Sequence, residues 1–129
     1  MMTDLERLLP ADKHDLERAE RLVALGFVAV EPIMPQILEW TQDPNWPVGQ
    51  VLRPFLAGIG APLAPYVRTV LSGNDDAWKY SLLQGVVLQS PALAEVLRAE
   101  LTCLAAAPTP GEVRQEVDQA ASEVLASLT

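Results

Sequence analysis

The chain has one cysteine, Cys103, and one histidine, His14. A lone thiol excludes an internal disulfide and a cysteine-only zinc cluster. A lone imidazole leaves any zinc site to be completed by carboxylates or by Cys103, so no metal site and no cofactor is expected. Bases are few, nine Lys and Arg against 17 Asp and Glu. The resulting net charge of −8 opposes nucleic acid, whose phosphates need clustered cations. Apolar runs are interrupted by Pro, Gly or charge before they could cross a bilayer. The opening "MMTDLERLLP" carries acids where a secretory signal needs an apolar segment. These absences point to the cytoplasm and to no membrane partner. Also missing are a glycine-rich phosphate loop, a nucleophile elbow and a metal-protease helix motif. No segment alternates as a half-buried strand does.

What remains is a chain in which half the residues are hydrophobic, long enough at 129 residues for one domain spanning 1–129 with a real core. Its charge sits at the ends. Residues 1–25 hold six acids and four bases, residues 95–129 six acids and two bases, and residues 26–94 only five acids and three bases. A charge-poor centre between amphipathic ends suits layered helices.

In "HDLERAERLVALG", Leu16, Ala19, Leu22 and Val23 share a helical face, Asp12 or Asp15 can cap the start, and Gly26 ends it. "PTPGEVRQEVDQAASEVLASL" reads as one long helix with a Thr109/Glu112 capping box, Pro110 in the first turn, and a stripe of Val113, Val117, Ala120, Val124 and Leu128. Between them an internal period appears. "PIMPQILEW" from Pro32 and "PLAPYVRTVL" from Pro62 stand thirty residues apart, and "PALAEVLRAEL" from Pro91 is a looser third copy. Each follows another helix-sized apolar segment: Leu16–Leu25, Val48–Ile59 and Trp78–Leu88. Stacked helical hairpins have such a period. The Pro-x-x-Pro pairs read as helix starts in preference to polyproline ligands, and Pro54 is expected to kink its helix.

The pattern is similar to HEAT-like α-solenoids, with shorter repeats. More specifically, "KHDLERAERL", "NWPVGQVLRPFLAGIG", "DDAWKYSLL" and "PTPGE" resemble a family of small uncharacterised bacterial proteins, a domain of unknown function with a compact HEAT-like fold. The resemblance runs from about Lys13 to the last helix. It implies an all-α, short right-handed α-solenoid of about three HEAT-like hairpins plus a C-terminal capping helix, and it carries over no activity and no catalytic residue.

Chemistry has few candidates. "KHDLERAE" reads as a solvated, ion-paired helix start, with His14 kept as a partner contact. Cys103, in "LTCLAAA", reads as a buried structural thiol. Asp75 and Asp76 read as helix caps in preference to a carboxylate dyad. Trp40 reads as core. Trp46 and Trp78 stand near helix starts beside polar residues, either plugging seams between repeats or forming a partner surface. Of the two, Trp46 suits a capping plug, and Trp78, with Lys79, Tyr80 and Asp76, suits a surface that meets a partner.

The expected function is therefore a non-enzymatic module that binds a protein or peptide, a basic one being favoured by the acidic surface. A toxin-neutralising or adaptor protein is one form of it. The alternatives are a HEAT-like enzyme with a site assembled across repeats, either a DNA-repair type, which the charge opposes, or a small-molecule type using Asp76, Lys79 and Tyr80.

Overall fold

The structure is a computed structural model that describes residues 3–128. It is all-helical, and no strand occurs among the described residues. Helix α1 (Leu16–Leu25) starts where the side chain of Asp15 accepts from the backbone N–H of Arg18, and it stops at Gly26, whose φ of 85° few other residues adopt. Gly60, at φ 77°, makes the corresponding stop after α4 (Pro47–Ile59). α4 runs unbroken through Pro54.

Beyond each glycine the chain passes through a 3-10 turn into a further α-helix. The one-turn helix α2 (Phe27–Val30) and a 3-10 turn, Glu31–Ile33, lead into α3 (Met34–Leu38). A 3-10 turn, Ala61–Leu63, leads into α5 (Ala64–Leu71). Pro32 and Pro62 thus occupy the 3-10 turns, and Pro35 and Pro65 the first turns of the α-helices proper. Neither costs a helical hydrogen bond, because those N–H groups have no partner in a first turn. Pro91 opens α7 (Pro91–Val96).

Several residues thirty positions apart are buried alike. Leu22, Leu52 and Leu82 are fully buried, as are Ile37, Val67 and Leu97; Ile33, Leu63 and Leu93 follow closely. Packing follows the same order. α1 lies on α4, α4 on the π-helical turn Leu83–Val87 that extends α6 (Asp76–Leu82), and that turn on α10 (Val117–Ala126). At the slot shared by residues 19, 49 and 79, however, the side chains are Ala, Gly and Lys. Gly49 is required there, because a Cβ would come 2.6 Å from the carbonyl oxygen of Trp40.

Three expectations are corrected. The C-terminal segment is two helices, α9 (Pro110–Arg114) and α10, broken at Glu116, whose φ is 60°. Its capping box is intact, but Val113 falls out of the stripe and is 49% exposed. "PALAEVLRAEL" likewise divides at Leu97 into α7 and α8 (Arg98–Ala106), so Arg98 pairs within the chain's own turn to Glu95, whereas Arg68 crosses to Glu100. Cys103 is exposed, not buried: Leu101 and Leu104 take the inward face of α8 and turn Cys103 outward. No single helix among the described residues is long and apolar enough to cross a membrane.

Candidate functional site

Asp75 caps α6 by accepting from the backbone N–H of Trp78, 3.0 Å away. That cap fixes the first turn, from which two consecutive side chains leave in different directions, about 100° apart as helical geometry requires.

Trp78 goes to a cleft of about 240 Å³ between α3, α5 and the start of α6. Pro35, Leu38 and Val70 form apolar wall, Tyr66 adds a second aromatic, and Glu39, Asn74 and Asp75 supply polar groups. Trp78 is half-buried and anchored: its indole Nε1–H donates to Thr41 Oγ1 at 2.9 Å. Thr41, itself fully buried, donates its hydroxyl to the Leu38 carbonyl at 2.6 Å, and its own carbonyl accepts from Ser81 Oγ at 2.7 Å. Tyr66 donates to Glu31 Oε2 at 2.8 Å, and this bond to a carboxylate, with burial adding to it, raises the phenol's pKa. The Glu39 carboxylate has no hydrogen-bond or ion-pair partner among the described residues, and no base lines the cleft.

Lys79 goes the other way, into the interior, where it is 4% exposed. Its ammonium lies 2.9 Å from Asp76 Oδ1 and 2.9 Å from Glu112 Oε2. Glu112, 5% exposed, is also the capping-box acid of α9, its other oxygen accepting from the Thr109 backbone N–H at 2.8 Å. Gly111 leaves room for the Asp76 carboxylate to lie against the α9 backbone. Burial works against the Lys79 charge, but the hydrogen bonds to Asp76 and Glu112 outweigh it and raise its pKa. For Glu112, burial would raise the carboxyl, and the Thr109 N–H and the Lys79 ammonium together bring it below its ordinary range. The expectation of a flexible surface base at Lys79 is therefore corrected: the amine is held between two carboxylates, tying α6 to α9.

The remaining expected contacts are dispersed. Trp46 is the residue before α4 and packs edge-on against Trp40, with ring centroids 5.6 Å apart, beside a separate groove shared with Gln36, Glu39 and Pro10. Tyr80 is half-buried in another groove with Arg53, Ser81 and Gln84. His14 is exposed in the turn before α1, where its backbone N–H donates to Asp12. Among the described residues no group of three or more His, Cys, Asp or Glu side chains could hold a metal ion.

Sequence reasoning missed Tyr66, Glu39 and Thr41, and read Glu112 only as a cap. Two of the deciding residues break the period detectably. Thr41 is polar where its counterparts Leu71 and Leu101 are apolar, and Lys79 is charged where Ala19 and Gly49 are small. Polar residues at positions a repeat otherwise buries must find partners inside the fold, so these exceptions point inward. Glu39 and Tyr66 carry no such signal.

A search of curated proteins finds no match. The model of the DUF5071 family, described as a domain of unknown function, matches residues 8–125, nearly the whole chain, and the protein belongs to that family.

Proposed function

We propose that this protein is a non-enzymatic interaction module, a small HEAT-like solenoid of about three hairpins with α10 as its end cap, and that the Trp78 cleft anchors a protein or peptide partner. The observation that carries this reading is the cleft itself: two aromatic side chains and an apolar wall, open to solvent, with the indole fixed in place by Thr41. Aromatic anchors in preformed recesses dominate many interfaces because a rigid ring loses little entropy on contact. The cleft is smaller than the roughly 300–1,000 Å³ typical of small-molecule sites, and suits one inserted side chain better than a cofactor. The Lys79 amine, engaged by two carboxylates, offers no free base or nucleophile, which weighs against the small-molecule enzyme. The thirty-residue burial register and the order in which α1, α4, α6 and α10 pack support the solenoid. In this reading the protein acts in the cytoplasm, as an adaptor or as the acidic antagonist of a basic protein.

The test is site-specific capture followed by reconstitution. A photoreactive residue replacing Thr69, an exposed residue of the cleft, should crosslink a defined host protein. That partner, once purified, should bind the unmodified chain in calorimetry and bind Trp78→Ala at least about tenfold more weakly, the effect of an interface hot spot. Equal affinity for a folded Trp78→Ala variant would overturn the reading.

A further inference from the structure

Within the anchor-cleft reading, on which this step rests, we infer that the side chain the cleft receives is an arginine of the partner, its guanidinium set against Trp78 and Tyr66 and paired with Glu39. The charge around the cleft is of one sign. Glu39 and Asp75 line it, Glu31 stands behind the Tyr66 hydroxyl, and no base is among its lining residues. None of the chain's own nearby cations lines the cleft. Lys79 is enclosed by Asp76 and Glu112; Arg68 is bonded to Glu100 Oε1 at 2.7 Å and to the Val96 carbonyl at 3.1 Å; Arg114 lines an adjoining groove with Gly111 and Gln115, which meets the cleft at Asn74 and Asp75, and is not itself among the cleft's lining residues. An anionic side chain would meet uncompensated carboxylates. A neutral apolar one would fill the wall but make no use of the Glu39 charge at the mouth.

A cation resolves both, and among cations the guanidinium fits best. It is planar, so it can lie flat against an aromatic ring, where the ring's quadrupole attracts it. It is more weakly hydrated than an ammonium, so it enters a partly apolar recess at lower cost. It also carries donors at several positions, enough to reach Glu39 at the mouth while the methylene stem lies on Leu38 and Val70. The excess of acids over bases across the chain would draw such a partner in before contact.

The experiment uses the intact chain and three single-residue probes: N-acetyl-arginine methylamide, its neutral isostere N-acetyl-citrulline methylamide, and N-acetyl-leucine methylamide. Each is titrated at low salt while NMR follows the Trp78 indole N–H, a reporter fixed by Thr41. The arginine probe should give a saturable shift at Trp78, spreading to Tyr66 and Glu39. The citrulline probe should not saturate. Glu39→Gln, an exposed change, should weaken the arginine probe by about threefold or more, and Thr69→Tyr, which fills the cleft, should abolish the shift. Saturation by the leucine probe and not by arginine would overturn the inference and leave the anchor cleft standing. Equal binding of arginine and citrulline, indifference to Glu39→Gln, or shifts mapping to another face would each refute it. Failure of all three probes would refute the cleft as an anchor together with its occupant.

Discussion

Trp78 and Lys79 are neighbours in sequence and opposites in structure. Trp78 is half-buried, bonded at its nitrogen and open along one side, in a cleft that has room left. Lys79 is 4% exposed, with its ammonium held between two carboxylates. The same capped turn places both. A short motif such as "WKY" therefore cannot be read as one surface: helical geometry distributes its members over different environments, and only one of these two is free to meet anything from outside. If this division holds, changes on the Lys79 side should lower stability and leave binding untouched, and only changes on the Trp78 side should reach binding.

The largest expected effect is on the buried pair. Lys79→Met leaves the Glu112 carboxylate buried and Asp76 without its partner, and should cost about 3–5 kcal/mol in denaturant unfolding; a loss below about 1 kcal/mol would show that Lys79 is solvated after all. Gly49→Ala, at the equivalent slot, forces a Cβ against the backbone carbonyl of Trp40, which has no rotamer to yield. An overpacking loss of about 1–3 kcal/mol should follow.

Thr41→Val sharpens the comparison from the other side. It removes the acceptor of the Trp78 indole while keeping the shape, and should lower stability by about 1–3 kcal/mol and move the indole N–H resonance. Of the three, it alone should disturb the cleft.

The smallest effect is in pH. Because the Glu112 carboxyl is held below its ordinary value of 4.5, its contribution is present above that pH and lost as pH falls toward the folded-state value. Lys79 is raised above 10.5, so its contribution is present below that pH and lost as pH rises through the folded-state value. Unfolding curves of Glu112→Gln should accordingly lose stability less steeply below about pH 4.5 than the parent. Parallel acid limbs would remove Glu112 from the account.

The helical class, a cap at Asp12 or Asp15, a cap at Asp75 or Asp76, the Thr109 capping box and the Gly26 stop can be read from the chain, because each depends on residues within about one turn of one another. The family resemblance was readable too, on "NWPVGQVLRPFLAGIG" and "DDAWKYSLL". What escaped depends on distant residues. The break at Glu116 puts a non-glycine residue at positive φ, which local propensity does not anticipate. Glu112, one of the two partners of Lys79, is 33 residues away, the partner of the Trp78 indole is 37 residues away, and Tyr66 meets Glu31 across 35. In the sequence Trp78 stands beside Lys79 and Tyr80, which suggest a partner contact, whereas its neighbours in space are Thr41, Tyr66 and Glu39.

The central claim is that the Trp78 cleft, and not the Lys79 side of the same turn, receives a partner. It is tested most directly by calorimetric titration of the partner captured through position 69 against the parent chain, Trp78→Ala and Lys79→Met, each at a temperature where it is folded. The account predicts an affinity reduced at least about tenfold for Trp78→Ala and unchanged for Lys79→Met. Unchanged affinity for Trp78→Ala, or loss confined to a folded Lys79→Met, would contradict it.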